Sequence, residues 1–356
     1  MAFSSLTQHA IWPAIYTISG VFLSFFGIQA IIPILRKSFL DDPNKANSAH
    51  ANPIPSGGGI VFVAITVFFG LFSWVLGNLS IFESSGWLAW IPLISLPLAI
   101  VGMLDDYKGV SVWIRFGIQF LTAALLLLIS PLQFNWLLVI PLLIAIVAVI
   151  NFINFIDGMD GVLGASSFVF VLAGVISFSA AGAVDDQGLN PVSLYALLGS
   201  LIGFLIWNWS PAKVFMGDVG STFVGSVFVG YVLQQDSYAS AMSLLLVSFP
   251  LLADAGGCVL RRIQYKQAIL KPHKLMLYQR LNQNGWEHSQ VAILYCTLTA
   301  FLAIIHVWGG LLWMLKAIIL ESLVLLWLDQ RVALRFVESL RRSKNTAKPQ
   351  AISAES

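Results

Sequence analysis

Acidic and amide side chains are concentrated in three short segments, each next to a long apolar run. Asp105 and Asp106 lie in GMLDDYKG, and Asp218 lies in VFMGDVGS. The third segment, NFINFIDGMDG, contributes two amides and two carboxylates, which are Asn151, Asn154, Asp157 and Asp160. Carboxylates that gather in one place repel one another unless a cation lies between them, and Mg²⁺ prefers carboxylate and phosphate oxygens. The segments therefore indicate a Mg²⁺ site, although Asp106 or Asp160 taken alone could be a helix cap.

The spacing within NFINFIDGMDG places three polar side chains close to one face of a helix, since Asn151, Asn154 and Asp157 recur every three residues. Glycines at 158 and 161 allow the chain to turn sharply after that helix. Amides and a carboxylate on one face can bind a metal or the edge of a base or sugar. The same side chains could instead join neighbouring helices.

Two polar loops have the composition of phosphate-binding segments. The first, DDPNKANSAHANPIPSGGGIVF, combines Lys45 and His50 with glycines at 57–59, whose N–H groups could approach an anion at a helix start. Glycine is also frequent where membrane helices touch, so the triplet alone is weak support.

The second loop, 259–290, carries six basic residues, which are Arg261, Arg262, Lys266, Lys271, Lys274 and Arg280. Arg261 and Arg262 fit the role of membrane-surface anchors. His273 follows a proline and could contact phosphate or move a proton, or it could be an ordinary surface residue.

The composition is that of a membrane protein: 58% of the residues are hydrophobic, 10% are charged, and the mean hydropathy is +0.85. Soluble domains carry about 25% charged residues. We therefore predict an all-α, polytopic membrane protein with about eleven spans, ten also being compatible with the sequence. The predicted spans are 11–35, 58–79, 87–104, 116–131, 136–152, 162–182, 193–209, 220–234, 239–258, 291–307 and 309–328.

The basic residues predict the orientation. With these spans, all but one of the 19 Lys and Arg residues fall in the loops of one side, and Lys316 lies inside the last span. Short cytoplasmic loops are enriched in Lys and Arg, so this side is predicted to be cytoplasmic, with the N-terminus outside and the C-terminus inside. Residues 1–342 are predicted to form one catalytic membrane domain, and 343–356 a disordered cytoplasmic tail.

The motifs, in this order, resemble those of the polyprenyl-phosphate N-acetylhexosamine-1-phosphate transferase family. The resemblance runs from about Asp42 to Arg280 and is most specific in NFINFIDGMDG and FMGDVGS. The GGG, WNW and YQRL sequences look most like the branch that initiates O-antigen synthesis. The resemblance implies that a UDP-linked N-acetyl sugar donates its sugar-1-phosphate to undecaprenyl phosphate, releasing UMP.

The resemblance also implies roles for individual residues. It places Mg²⁺, or Mn²⁺ in its stead, at Asp218, and assigns Asp105 and Asp106 to the lipid phosphate, one of them as a general base. Asn154 and Asp157 would line the nucleotide-sugar site. The further substrate-binding candidates are Lys45, His50, Lys108, Asn151, Asp160 and Lys274.

Two further features of the family can be compared with this sequence. Phe215 looks like the aromatic residue that stacks on uracil, and His273 matches the first histidine of the family's histidine-containing loop. Relatives usually carry a second histidine three residues later, where this chain has Met276. We interpret the second imidazole as a group that adjusts contact with phosphate. Its replacement by Met276 therefore affects the expected role of the loop more than the expected reaction.

The partners expected are undecaprenyl phosphate, a UDP-N-acetyl sugar and the lipids of a bacterial inner membrane. Members of the family are often dimeric, which leaves a homodimer open, and no nucleic-acid partner is predicted. A different reading is a multi-pass transporter of an anionic or lipid-linked solute. That reading requires charged residues in the middle of spans, and its candidates are Asp254, Lys316 and Glu321.

Overall fold

The computed structural model describes residues 2–39, 53–78, 86–180, 191–268 and 273–346, and within these ranges the regular structure is helical. Two predicted site residues, Lys45 and His50, lie outside them. The first eight helices are α1 (Ala2–Ser38), α2 (Gly59–Asn78), α3 (Ile91–Lys108), α4 (Val112–Leu128), α5 (Trp136–Phe155), α6 (Val162–Ala180), α7 (Val192–Asn208) and α8 (Gly217–Leu233). The remaining five are α9 (Tyr238–Leu246), α10 (Phe249–Gln264), α11 (Leu277–Gln283), α12 (His288–Trp327) and α13 (Phe336–Thr346).

The helices confirm the all-α, multi-pass membrane class. The first eight predicted spans coincide with α1 to α8. Six described helices are long and apolar enough to cross a membrane, and the pair α9–α10 would make a seventh span. Helices α4, α7 and α8 have 17 residues each, the lower end of the length that spans a bilayer.

The ninth predicted span is broken rather than straight. Helices α9 and α10 meet at an angle of 72° across Val247 and Ser248. Pro250 lies in the first turn of α10 and has no N–H to donate, so it cannot extend the hydrogen-bond ladder of α9. The break redirects the chain within the predicted span.

The last two predicted spans are the two arms of α12, which turns back at Gly310 (φ 69°, ψ −175°). The Tyr295 hydroxyl bonds Asp254 on α10 at 2.6 Å, and Asp329 accepts two 2.6 Å bonds from Arg261 on the same helix. A straight helix would separate Tyr295 from Asp329 by about 50 Å. Both can reach α10 only because the chain reverses between them.

Small residues allow the closest helix packing, between α1 and α7. A Cβ at Gly199 would lie 1.9 Å from the Thr17 carbonyl oxygen, and one at Gly203 would lie 2.5 Å from that of Val21. Glycines four residues apart thus let the two backbones touch, as they commonly do between membrane helices.

The C-terminal helix is longer than the sequence predicts. Helix α13 continues through Thr346, so the first residues of the predicted disordered tail are helical. Its inner face carries Phe336 and Ser339, both buried against the preceding loops. That docking stabilises a helix that would be marginal by itself. Residues 347–356 lie outside the described ranges.

Candidate active site

The paired aspartates of α3 meet Asp218 because α3 packs directly on the start of α8. Asp105 and Asp106 belong to the last turns of α3, and Asp218 belongs to the first turn of α8. A Cβ at Gly102 would lie only 2.4 Å from the Asp218 carbonyl oxygen. The glycine in GMLDDYKG therefore brings the two acidic motifs together.

Asp106 caps α8. Its Oδ2 accepts a 2.9 Å hydrogen bond from the Asp218 backbone N–H, at the helix end that favours a negative charge. The helix-cap alternative for Asp106 is thus confirmed. The helix that Asp106 caps is not α3, to which it belongs, but α8, which begins 111 residues later in the chain. A catalytic role for Asp106 stays a prediction.

Gly217 makes this cap possible, and we expect Gly217→Ala to damage both stability and the site. Its φ of +73° costs a residue with a Cβ about 1–2 kcal/mol, and that Cβ would lie 2.7 Å from Asp106 Oδ2. The variant should melt at a lower temperature and lose most of its activity. The matched control is Gly117→Ala, whose Cβ would meet nothing within 4 Å. If both variants behave like the wild type, the cap does not hold the site.

Arg115 is the residue that sequence reasoning missed. Its guanidinium contacts Asp105 Oδ2 and lies 3.7 Å from Asp218 Oδ2, while Asp105 Oδ1 accepts a 2.6 Å bond from the Val110 N–H. One positive charge therefore sits between two carboxylates. From the sequence, Arg115 is only one of the Lys and Arg residues that predict which side of the membrane is cytoplasmic. Its place near the start of the helix after the DDYK motif was the available signal.

The two amides of the NFINFIDGMDG helix differ in what they contact. Asn154 hydrogen-bonds the Asp218 carboxylate and accepts a bond from the Ser221 hydroxyl. Asn151 exchanges two hydrogen bonds with Gln119, at 2.8 and 3.2 Å, and donates to the Val147 carbonyl at 2.7 Å. Asn154 thus contacts Asp218 and the start of α8, whereas Asn151 mainly joins α5 to α4.

Both amides and Asp218 line a cavity of about 480 Å³, a volume typical of small-molecule sites. Five predicted site residues line it, which are Asn151, Asn154, Asp157, Asp218 and His273. Arg115 lines it too, and its far wall is apolar, formed by α4 and α5 through residues that include Phe116, Phe120, Ile144, Val147 and Phe152. The cavity thus joins an acidic end to a hydrophobic wall.

His273 enters the cavity from the loop before α11. Its Nδ1 accepts a 3.2 Å bond from the Leu275 N–H. Burial, together with the nearby Arg262 guanidinium, lowers the pKa of His273 to about 4, so the imidazole is neutral at pH 7. Met276, which stands where relatives usually have a second histidine, is buried and also lines the cavity.

A buried carboxylate holds this loop in place. Asp254 accepts bonds from the Leu277 and Tyr278 N–H groups, at 2.6 and 3.0 Å, and from the Tyr295 hydroxyl at 2.6 Å. Tyr278 in turn donates to the Phe155 carbonyl at 3.2 Å, which ties the loop to the NFINFIDGMDG helix. Asp254, a residue required by the transporter reading, therefore caps α11.

The other two charged residues of the transporter reading have different surroundings. Lys316 lies 4.4 Å from the centre of the Trp313 ring. Glu321 is buried, and its carboxylate has no hydrogen-bond partner within the described part of the chain. A smaller cavity of about 250 Å³ lies beside this arm of α12, but its two arginines, Arg261 and Arg280, both pair with Asp329. The larger cavity is the better candidate site.

Asp160 lies outside the cavity lining and is 2% exposed. Its Oδ2 accepts a 3.1 Å bond from the Ala212 N–H and lies 3.3 Å from His288 Nδ1. The Asn208 side chain makes a parallel link, accepting from the Gly161 N–H and donating to the Val214 carbonyl. These bonds join the NFINFIDGMDG turn to the segment that ends at Phe215.

Phe215 is half-buried and held by the segment before α2. Its N–H donates to the Pro55 carbonyl at 2.8 Å. Gly58 and Gly59 donate their N–H groups to the Phe215 and Met216 carbonyls, at 2.9 and 3.0 Å. The expectation that these glycines offer N–H groups to a phosphate is therefore wrong for both, because the fold already uses them.

The two remaining lysine candidates are not among the residues that line the described cavity. Lys108 is exposed, with its ammonium 5.4 Å from the centre of the Tyr107 ring. Lys274 is half-buried, and its carbonyl accepts hydrogen bonds from the Gln283 and Ser339 side chains. Their contact with substrate stays a prediction.

The carboxylates at the cavity suit an open Mg²⁺ site rather than an enclosed one. The described residues contain no group of three or more His, Cys, Asp or Glu side chains that would enclose a metal by themselves. Mg²⁺ commonly needs only one or two carboxylates, with substrate phosphates and water completing its shell. Asp218, which lines the cavity with a partly exposed side chain, fits such an open site.

A bundle of membrane helices with an acid-lined cavity at one end has the architecture of an integral membrane enzyme. Residues 87–235, which include both acidic helix ends and NFINFIDGMDG, match the model of glycosyl transferase family 4. The chain belongs to this family, among the polyprenyl-phosphate sugar-1-phosphate transferases.

Relatives of two kinds support that membership. The chain is 25% identical to a probable undecaprenyl-phosphate N-acetylglucosaminyl 1-phosphate transferase of Bacillus subtilis, over 86% of this chain and 85% of the relative. It is 26% identical to the undecaprenyl-phosphate alpha-N-acetylglucosaminyl 1-phosphate transferase of Salmonella typhi, over 80% of each. It is 30% identical to a phospho-N-acetylmuramoyl-pentapeptide-transferase of Helicobacter pylori, over 77% of this chain and 88% of the relative. Because both kinds match, the O-antigen branch stays a prediction.

Proposed function

We propose that this enzyme transfers an N-acetylated sugar-1-phosphate from a UDP-sugar to undecaprenyl phosphate and releases UMP, as the initiating step of O-antigen or another cell-surface polysaccharide. The observation that carries the proposal is the single cavity shared by Asn154, Asp157, Asp218 and His273, which has an apolar wall on α4 and α5. A polar end suits a diphosphate and a sugar, and the apolar wall suits a polyprenyl chain.

The reaction brings two phosphate anions together, so charge neutralisation and positioning supply most of the catalysis. Mg²⁺ held by Asp218 would neutralise the donor diphosphate. Arg115 adds a fixed positive charge between Asp105 and Asp218. Because Nδ1 of the neutral His273 imidazole accepts a bond, the ring proton is on Nε2, which can donate a hydrogen bond to a phosphate oxygen.

Asp105 has an orienting role in this proposal. Both oxygens of Asp105 are engaged, one by the Val110 N–H and one by Arg115, so Asp105 holds the arginine in place. The acceptor phosphate is already mostly ionised at neutral pH because its second pKa is near 6. A general base is therefore helpful rather than required, and Asp106 and Asp157 are the candidates for that role.

The proposed location is the inner membrane of a bacterial cell, with the site on the cytoplasmic side, the N-terminus outside and the C-terminus inside. The enrichment of Lys and Arg on one side supports this orientation. Four polar segments predicted for that side contribute residues to one cavity, which are Arg115, Asn154, Asp157, Asp218 and His273. UDP-sugars are cytoplasmic, so the donor would reach the cavity directly.

The test is UMP release by detergent-purified protein supplied with undecaprenyl phosphate, Mg²⁺ and a panel of UDP-N-acetyl sugars. We expect release with at least one sugar and its loss in EDTA. Sugar-dependent UMP formation would also exclude a pure transporter. Silence with every sugar, while a close relative is active under the same conditions, would overturn the proposal.

Phe215 provides a test of donor binding. If its ring stacks on uracil, Phe215→Ala should raise the KM for the nucleotide sugar about tenfold, because aromatic–base stacking contributes about 1–3 kcal/mol per base. The KM for undecaprenyl phosphate should stay unchanged. The control is Phe301→Ala, an exposed aromatic on the first arm of α12. An unchanged KM for the donor would remove the stacking assignment.

A further inference from the structure

The chain that follows the last membrane helix folds back onto the loop that carries His273. This loop, 273–276, has no regular secondary structure, and α11 after it has only seven residues. Elements this short do not hold a geometry alone, so their position depends on outside contacts. Asp254 holds the N–H groups at the start of α11. The C-terminal segment holds one loop carbonyl directly and a second one through Arg280 of α11.

Ser339 makes the first of these contacts. Its hydroxyl lies 3.1 Å from the Lys274 carbonyl oxygen and 2.7 Å from Gln283 Oε1, while Gln283 Nε2 donates to the same Lys274 carbonyl at 2.7 Å. Ser339 is 2% exposed. A residue of α13 thus fixes the peptide group between Lys274 and Leu275, from 65 positions further along the chain than Lys274.

Arg280 makes the second contact, and it is 1% exposed. Its Nε donates to the Leu275 carbonyl at 3.1 Å, and its Nη1 donates to the Leu334 carbonyl at 2.9 Å. Its Nη2 pairs with Asp329, and its own carbonyl accepts from the Leu334 N–H at 3.2 Å. One buried guanidinium therefore connects the active-site loop to the C-terminal segment.

We propose that residues 329–339, which we call the C-terminal clamp, are a positioning element for the active-site loop. The clamp touches neither phosphate nor sugar; it sets where His273, Met276 and Gln279 lie in the cavity. This inference rests on the proposed transferase activity for its kinetic consequence, but its structural consequence can be measured without that activity. Ser339 is the positioning residue to test, because its hydroxyl can be removed without disturbing a charge.

The structural test is hydrogen exchange of purified protein, read by mass spectrometry on peptides from 273–283. Ser339→Ala should speed exchange in these peptides, and Ser339→Thr, which keeps the hydroxyl, should restore slow exchange. The control is Val337→Ala, which shortens an exposed side chain of the same helix. Unchanged exchange in Ser339→Ala would overturn the inference.

The kinetic test uses UMP release. Ser339→Ala should lower kcat on the order of tenfold, since small displacements of a catalytic group have effects of that size or more. In a His273→Ala background, Ser339→Ala should change kcat by less than about twofold. Ser339 acts by positioning His273, and that side chain is already missing there. An equal effect in both backgrounds would indicate general destabilisation and overturn the inference. If the wild type releases no UMP while exchange still responds to Ser339, the proposed function fails and the clamp stands.

Discussion

We expect Asp218→Asn to abolish UMP release while leaving the protein folded. The substitution keeps the shape of the side chain but removes the carboxylate to which we assign Mg²⁺, and we expect turnover to fall by about 10³-fold or more. The backbone bond from residue 218 to Asp106 does not involve the side chain and should persist. Loss of one of two neighbouring carboxylates should leave the melting temperature unchanged or raise it.

Asp236→Asn is the matched control for this variant. Asp236 is an exposed aspartate between α8 and α9, at the end of α8 opposite Asp218, and it should tolerate the change. The measurement is UMP release across a range of Mg²⁺ concentrations, with the melting temperature taken in parallel. Near-normal turnover in Asp218→Asn would remove the metal assignment.

Arg115→Gln should lower kcat about 10²-fold, the effect of removing one preorganised charge-stabilising group. Arg115 lies between Asp105 and Asp218, so its loss leaves two carboxylates facing each other without a fixed cation. Arg115→Lys should recover only part of the activity, because a lysine ammonium is hydrated and placed differently from the Nη1 group that lies between the two carboxylates.

The Mg²⁺ dependence separates this defect from that of Asp218→Asn. A guanidinium 3.7 Å from Asp218 opposes metal binding there, so Arg115→Gln should bind Mg²⁺ at least as tightly as the wild type. The control is Arg342→Gln, which removes an exposed arginine paired with Glu338 on α13. A higher Mg²⁺ requirement than that of the wild type, or wild-type turnover, in Arg115→Gln would contradict the role assigned to Arg115.

The candidate site could be predicted from the sequence where its residues lie in recognisable motifs. Asn154, Asp157, Asp218 and His273 all reach one cavity, as their motifs indicate. Residue type and a position at a span end identify the first three, whereas His273 lies in a loop and is matched through the resemblance to the family. The roles of Asp106 and Asn151 could not be assigned in this way, because the cap of α8 and the pairing with Gln119 depend on which helices touch.

The glycines illustrate the same limit. Gly57 to Gly59 have the composition of an anion-binding turn, but the N–H groups of Gly58 and Gly59 donate to carbonyls of the Phe215 segment. Local sequence shows that a glycine can approach another group closely. It does not show whether that group is a phosphate or a neighbouring backbone.

The sequence by itself determined that this is a multi-pass helical membrane protein and which polar segments share a side. A bilayer accepts only segments that are apolar and internally hydrogen-bonded, so these properties depend on local composition. The tertiary structure decided that Arg115 lies between two carboxylates, that Asp106 caps α8, and that the C-terminal clamp holds the His273 loop. These contacts join residues up to 112 positions apart, and only the packing of one helix against another brings them close enough to interact.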